Sequence, residues 1–463
     1  MRFLFTSLQT FESEFYGTVA GALERRGHET AHVTVSRESA RALRERGFRA
    51  WCVHDLASDL PSVSTDAEVA RIERTYPIPH LRDVYRGDYA IAGWSEEAST
   101  ERAVEIFRAL ERAFDEVEPD VVCPEVGNET IRVAAHTIAL ARDIPVLFLL
   151  FTIFPNPLRV YVDTLHAPVV PLDELRELTA EEAEEVEAFR RSFTERAQPI
   201  RDYRRWRAEW RRVKLFADHV ERKRGVDRDN EYLRPWGLLW MNVSETARAK
   251  AARPFYDELS PNRPFVYFPL HVTDDYKIKR VIPHCVDQAS IIEQVADALP
   301  AGHDLVLKEH PMSLGRNSIM LLRRLRKRSN VRLVSPYTST HELVQRSEAV
   351  AVISSTVGLE ALLYDKPVLT IGDPYYAGYG VTLDLGSFAE IRARVPELLG
   401  FRPDPELIRR FLHAAMRSCY PGKPVLVDRS DENALTIADT LEHAALKATA
   451  QRARGERVAA LAP

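Results

Sequence analysis

Short apolar runs alternate with amphipathic stretches along most of this chain. The opening RFLFTSL reads as a buried strand, FYGTVAGALERRGHE carries apolar residues at helical spacing and ends near Gly27, and TAHVTVS reads as a second strand. The same order returns in PDVVCPEV, ETIRVAAHTIALARD and IPVLFLLF. That alternation predicts a parallel sheet with crossover helices and a first Rossmann-like domain over residues 1–165.

From residue 166 to about 240 the strand signals stop. LTAEEAEEVEAFRRSF and RDYRRWRAEWRRVKLFADHVERKR are charged helix formers with interspersed aromatics, and predict a helical insertion or linker. Trp206 and Trp210 stand at i and i+4, the spacing of one aromatic stripe packed on the body. The alternative for segment 201–214 is a basic surface for anionic lipid.

A second α/β series occupies residues 241–385. PFVYFPLHV, HDLVLKEHP, VRLVSP, AVAVISS and PVLTIG read as strands, and the segments between them have helical spacing. Residues 386–463 add helices, including DPELIRRFLHAAMRS, and a tail, ALKATAQRARGERVAALAP, expected to be weakly anchored. The fold class is therefore α/β, with two Rossmann-like halves and a helical insertion.

Composition narrows the function classes. The 463 residues are 45 % hydrophobic, as in a globular protein of two domains, and 63 Lys and Arg against 68 Asp and Glu leave a net charge of −5. No global basic field argues for nucleic acid. Cys52, Cys123, Cys285 and Cys419 have no zinc or disulfide spacing, which fits a reducing cytoplasm. The longest apolar run, IPVLFLLFTIF, falls well short of the roughly 20 residues that span a bilayer, so no transmembrane segment is expected.

In open parallel sheets ligands collect beyond the carboxyl ends of strands, so the strand exits are where chemistry is expected. Residues 305–316 deliver Lys308, Glu309 and His310 before Pro311, which stops further pairing: two donors for a phosphate, or a capped strand end. By alternation Glu309 should point away from Lys308 and His310. The next exit supplies Ser354, Ser355 and Thr356 ahead of a helix carrying Gly358 and Glu360. One hydroxyl would cap the helix; three exceed that need and suit an anion. The exit GDPYYAGYGVT, with Gly372, Gly378, Gly380, Tyr375, Tyr376 and Tyr379, can stack on a base or sugar, or cover an apolar edge. His271 also leaves a strand, as a ligand contact or a satisfied structural residue.

FPLH at 268–271, KEHP at 308–311, SSTVGLEALLYDKPVLTIGDPYY at 354–376, and Gly380 and Thr382 resemble the capsule polysaccharide biosynthesis family, which includes Kdo transferases. That family is similar to GT-B transferases that use cytidine nucleotides and carry a His-Pro motif and a Ser-Ser or Ser-Thr motif. The resemblance covers residues 264–385 and implies a GT-B fold, two Rossmann-like domains facing a central cleft. It places His310 and Pro311 on the first motif and Ser354, Ser355 and Thr356 on the second. It implies that Lys308 and His310 meet a cytidine monophosphate, that Ser354 and Ser355 hold its phosphate and that Glu360 meets the ribose. His271, Tyr376, Gly380 and Thr382 are expected near the sugar.

Departing phosphate can be stabilised by a lysine, a protonated histidine and a helix N-terminus, without metal or other cofactor. Asp274 and Asp275, adjacent acids in a polar loop, are expected to be solvated rather than metal ligands. The acceptor base should come from the first domain. Glu125 in CPEVGNET follows a strand there, with Glu129 as a dipole partner of the next helix and Glu14 as an alternative base. A retaining reaction, as the Kdo branch implies, would not use a simple base.

The expected function is thus a cytoplasmic glycosyltransferase of surface polysaccharide synthesis. It would move Kdo or a related keto sugar acid from a CMP-sugar to a glycan or lipid-linked glycan, with peripheral contact at the inner face of the membrane through segment 201–214 as a separate alternative. The alternatives are a UDP-sugar transferase or epimerase and a non-catalytic carbohydrate-assembly subunit.

Overall fold

The computed structural model describes residues 1–167, 175–195, 210–456 and 460–461. The chain forms two compact units. The first comprises residues 1–165, 208–235 and 418–463, and the second residues 166–207 and 236–417. The stretch 166–240, drawn from the sequence as one insertion, is therefore divided between them. Helix Ala180–Glu195 packs on helix Pro405–Arg417 in the second unit, while helix Trp210–Arg224 belongs to the first. Trp206 and the rest of 201–209 lie outside the described residues.

In the first unit, β1 (Arg2–Ser7), β2 (Glu29–Thr34), β3 (Arg49–Cys52) and β4 (Val121–Pro124) form a parallel sheet of order β3-β2-β1-β4. β5 (Leu147–Phe151) adjoins β4 through a parallel bridge from Val122 to Val146. It then pairs antiparallel with β6 (Leu158–Val162), where only parallel pairing was expected. The reason is the connection: residues 152–157 close with a Thr152 N–H to Pro157 carbonyl bond of 2.8 Å, too short a link for a parallel crossover.

The first helix, Thr10–Arg25, starts before the apolar periodicity does. Gln9 and Glu12 form a capping box there, and Gly27, at φ 86°, turns the chain into β2. Helix Glu96–Val117, absent from the sequence reading, lines this unit with Ile106, Phe107, Leu110 and Phe114 buried. The expectation of a weakly anchored tail fails as far as Ala453. Helix Asp431–Ala453 returns to the first unit and packs on helix Thr10–Arg25, with Ile437, Ala438, Leu441, Ala444, Ala445 and Ala448 in the core that holds Phe3, Phe5 and Tyr16. Small alanines at helical spacing let the two helices approach closely, although they contribute little hydropathy to a sequence window.

The second unit is one parallel sheet built from β7 (Phe265–Pro269), β8 (Asp304–Lys308), β9 (Val331–Val334), β10 (Ala349–Val352), β11 (Val368–Thr370) and β12 (Leu383–Asp384). Its order is β12-β11-β10-β7-β8-β9. The winding reverses between β7 and β10, as it does between β1 and β4 in the first unit. A doubly wound sheet leaves a crevice for ligands at that reversal, outside the carboxyl ends of the strands. Both Rossmann-like series read from the sequence are thus present. All four cysteines are free and buried, and no described helix is long and apolar enough to cross a membrane.

Candidate functional site

The switch point of the second unit gathers the exits of β7, β8 and β10. His271, two residues beyond β7, accepts the backbone N–H of Ser354, two beyond β10, on Nε2 at 3.0 Å. Its own backbone N–H and carbonyl bond the Gln288 side chain at 2.9 and 3.4 Å. Burial, with His310 and Lys277 nearby, lowers the His271 pKa to about 4. A neutral ring whose Nε2 accepts must carry its proton on Nδ1. His271 is therefore a clasp between two strand ends, the structural reading of this residue.

β8 is buried over all five residues and carries Lys308 in register with Pro269 of β7. Lys308 Nζ donates to Thr340 Oγ1 at 2.7 Å, and Thr340 also bonds the buried Tyr267 of β7. Glu360, on helix Thr356–Leu362, faces the same group. Burial lowers Lys308 to about 8 and raises Glu360 to about 7, and each opposes the shift of the other. A cation and an acid so close to their crossover at neutral pH are poised to respond to a charged ligand.

His310 and Pro311 begin a single turn, Pro311–Ser313, in which His310 Nδ1 accepts the Met312 N–H at 3.1 Å. The proline takes the first position, where its fixed φ suits the turn. His310 is exposed, yet desolvation and the Lys308 and Arg316 cations push its pKa below the ordinary value. The shift disfavours the protonated ring, and with Nδ1 accepting, Nε2 is the nitrogen left to carry the ring proton. Glu309 turns the other way, as alternation required, onto Tyr256 Oη at 2.6 Å and Asn317 Nδ2 at 2.7 Å.

The three hydroxyls after β10 are not equivalent. Ser355 caps its helix, accepting the Val357 N–H at 3.3 Å, and Ser354 Oγ donates to the Asp373 carbonyl at 2.9 Å. Only Thr356 is exposed. Two of the three thus serve the local backbone in this state.

Of the two readings of the aromatic loop, Tyr376 and Tyr379 take the inward-facing one. Tyr376 is 1 % exposed, and its hydroxyl donates to the Ser355 carbonyl, so its ring lies over Gly358 rather than against a ligand. Tyr379 is buried on Phe411, and Thr382 is buried with its hydroxyl on Asp384 Oδ1 at 2.6 Å. Gly378 and Gly380 reach the surface, at φ 89° and 77°. Tyr376 and Thr382 therefore support the site from inside. Asp384, unmarked in the sequence, pins the loop by also accepting from Thr370 Oγ1 and from the Gly378 N–H at 2.7 Å.

In the first unit the exit of β4 leads to Glu125, 7 % exposed, whose Oε1 accepts the Tyr16 hydroxyl. Burial raises its pKa to about 7. Glu129 precedes helix Thr130–Ala141 and pairs with Arg132 at 3.0 Å, a stronger tie than a dipole partner needs. Glu14 lies within the first helix and is exposed, so it is not beside Glu125; Glu12 takes that place through its 2.8 Å pair with Arg132. Helix periodicity was the signal that could have chosen Glu12 over Glu14. Asp274 pairs with Lys279 at 2.9 Å, and Asp275 accepts the Lys277 N–H at 2.8 Å. Among the described residues no group of three or more metal-ligating side chains is assembled.

Comparison with known proteins adds a family. Protein FixF of Sinorhizobium fredii (strain NBRC 101917 / NGR234) is 32 % identical over 165 residues, 34 % of this chain and 37 % of FixF. The capsule polysaccharide modification protein LipA of Neisseria meningitidis serogroup A (strain DSM 15465 / Z2491) is 34 % identical over 100 residues, 21 % of this chain and 14 % of LipA. The chain thus spans well under half the length of either relative. Among solved structures, the Thermosulfurimonas dismutans KpsC beta Kdo 2,7 transferase aligns at a TM-score of 0.33 and 16 % identity, over 70 % of this chain and 88 % of that one. An S. aureus MnaA-UDP structure aligns at 0.32 and 11 %, over 99 % of both. The family described as capsule polysaccharide biosynthesis protein matches residues 175–418, just over half of the sequence and every strand exit of the second unit, and the chain belongs to it.

Proposed function

We propose that this protein is a GT-B glycosyltransferase of surface or capsular polysaccharide synthesis, moving Kdo or a related keto sugar acid from a CMP-sugar to a glycan acceptor. The observation that carries the reading is the convergence of Lys308, His310, Thr356 and Glu360 beside the switch point of the second unit, where a nucleotide is expected. Lys308 supplies positive charge to the leaving phosphate, His310 donates from Nε2, Thr356 adds its hydroxyl and Glu360 meets the ribose. Donors set in place before reaction stabilise charge as it develops, without a reorganisation cost at that moment.

We take the transfer to be inverting, the outcome of a single displacement, with Glu125 of the first unit as the proton acceptor. The acceptor hydroxyl gives Glu125 its proton as its oxygen bonds the anomeric carbon. The bond from that carbon to the phosphate breaks, and CMP leaves with the electron pair. An acid held near neutrality suits that role.

The test is a screen of CMP-sugars for CMP release with and without glycan acceptors. His310→Ala is expected to abolish transfer and leave the fold intact; undiminished turnover would remove His310 from the mechanism. Thermal shifts with CMP, CDP, UMP and UDP check the donor class, and stabilisation by the uridine pair alone would overturn it. We place this transferase in the cytoplasm, and treat contact of segment 201–214 with the inner membrane face as a separate proposal. Indifference to anionic vesicles at low salt would remove that contact.

A further inference from the structure

At the switch point of the first unit one guanidinium faces more carboxylates than it can neutralise. Arg132 donates through Nη2 to Glu12 Oε1 at 2.8 Å, and through Nη1 to Glu129 Oε2 and the Val126 carbonyl, each at 3.0 Å. Its two terminal nitrogens bond Glu12, Glu129 and the backbone, while the buried Nε has no hydrogen-bond partner among the described residues. Glu125 is left with the Tyr16 hydroxyl as its hydrogen-bonded side-chain partner. Tyr16 is 3 % exposed, with the rings of Phe5 and Phe15 centred 5.3 and 5.4 Å away, so its phenol is held in place. Glu12 and Tyr16 stand one turn apart on helix Thr10–Arg25, and a single helix face thus brings both to Glu125.

We propose that Tyr16 and Glu12 are positioning residues for the proton-accepting carboxylate of Glu125. Tyr16 fixes its orientation, and Glu12, together with Glu129, occupies Arg132 so that Glu125 is not locked into an ion pair and remains able to take a proton. This inference rests on the reading of Glu125 as the acceptor base.

The groups facing Glu125 come from three elements: Tyr16 and Glu12 from helix Thr10–Arg25, Cys123 from β4, and Arg132 from helix Thr130–Ala141. Glu129, Asp88 and Tyr89 gather around Arg132. Burial and the Glu12 charge favour the neutral acid, whereas Arg132 and the Tyr16 hydrogen bond favour the carboxylate. Removing Tyr16 and removing Glu12 therefore act in opposite directions.

The experiment uses the full chain and follows the infrared band of protonated carboxyl from about pH 5 to about pH 9. Glu125→Gln identifies the band by its loss. Tyr16→Phe is expected to move the midpoint upward and Glu12→Gln downward, each on the order of one pH unit. In turnover of a CMP-sugar, the acid limb of kcat/KM is expected to move with them. Circular dichroism confirms that each variant is folded, and because the two shifts have opposite signs either folded variant is informative. Midpoints that stay put in folded variants overturn the positioning by Tyr16 and Glu12. Midpoints that move while the rate profile does not overturn Glu125 as the base, and with it the role given to both residues.

Discussion

His271 Nε2 accepts the Ser354 N–H at 3.0 Å, joining the exits of β7 and β10 where the second sheet reverses its winding. The clasp needs a neutral, correctly protonated ring, and burial keeps the pKa near 4. His271→Leu fills similar space but leaves the Ser354 N–H without its acceptor. Such a change costs about 1–3 kcal/mol. Urea unfolding should report that loss, and calorimetry with CMP should show weaker binding as the exits separate.

Gly358 has no room for a side chain. A Cβ there would lie 2.2 Å from Tyr376 Oη and 2.7 Å from its Cζ. Gly358→Ala is expected to destabilise by about 1–3 kcal/mol through overpacking. Pairing it with Tyr376→Phe removes the nearer atom, and the double variant should be less unstable than the sum of the two singles. Strict additivity in thermal unfolding would refute this contact as the cause.

His32 makes the fold acid-sensitive. It is fully buried on β2, stacked on Phe5 at 5.3 Å, with neither ring nitrogen hydrogen-bonded among the described residues. Burial, aided by the Arg46 cation, lowers its pKa from 6.5 to about 3. The neutral form is favoured in the fold, so this contribution to stability is complete above pH 6.5 and is lost progressively as pH falls toward 3. The slope is about 1.4 kcal/mol per pH unit for one proton. His32→Leu should flatten the difference between unfolding free energies measured near pH 7 and near pH 5; an unchanged difference would clear His32 of the effect.

Lys308 and Glu360 should respond to each other. Lys308→Met removes the cation that holds Glu360 down, so Glu360 should become more fully protonated at neutral pH, visible as a stronger carboxyl infrared band. CMP affinity should fall at least about tenfold by calorimetry, the scale of one lost charge-assisted contact. Retained affinity would remove Lys308 from the donor site.

The residues of KEHP and SST were legible because a strand exit is a local event. An apolar run, a proline or hydroxyl stop and a helix pattern fall within about a dozen positions, and the alternation rule was enough to turn Glu309 away from Lys308. The aromatic loop was not legible in the same way. Tyr376 and Thr382 have the composition of ligand contacts, but their partners, Ser355, Gly358 and Asp384, decide that they face inward. Composition cannot tell a tyrosine that covers a ligand from one that covers a glycine.

By itself the sequence determined two α/β series, the order of their strands along the chain and the residues each strand delivers at its end, because these follow from hydrophobic period and turn chemistry within short windows. Tertiary structure decided which of those residues remain available. It returned helix Asp431–Ala453 to the first unit, spent Ser354, Ser355 and His271 on one another and on the backbone, lowered the proton affinity of His310, and set Glu12, Tyr16 and Arg132 around Glu125. Burial and the charges brought near by folding set each proton affinity, and those neighbours stand as much as 120 residues apart in the chain.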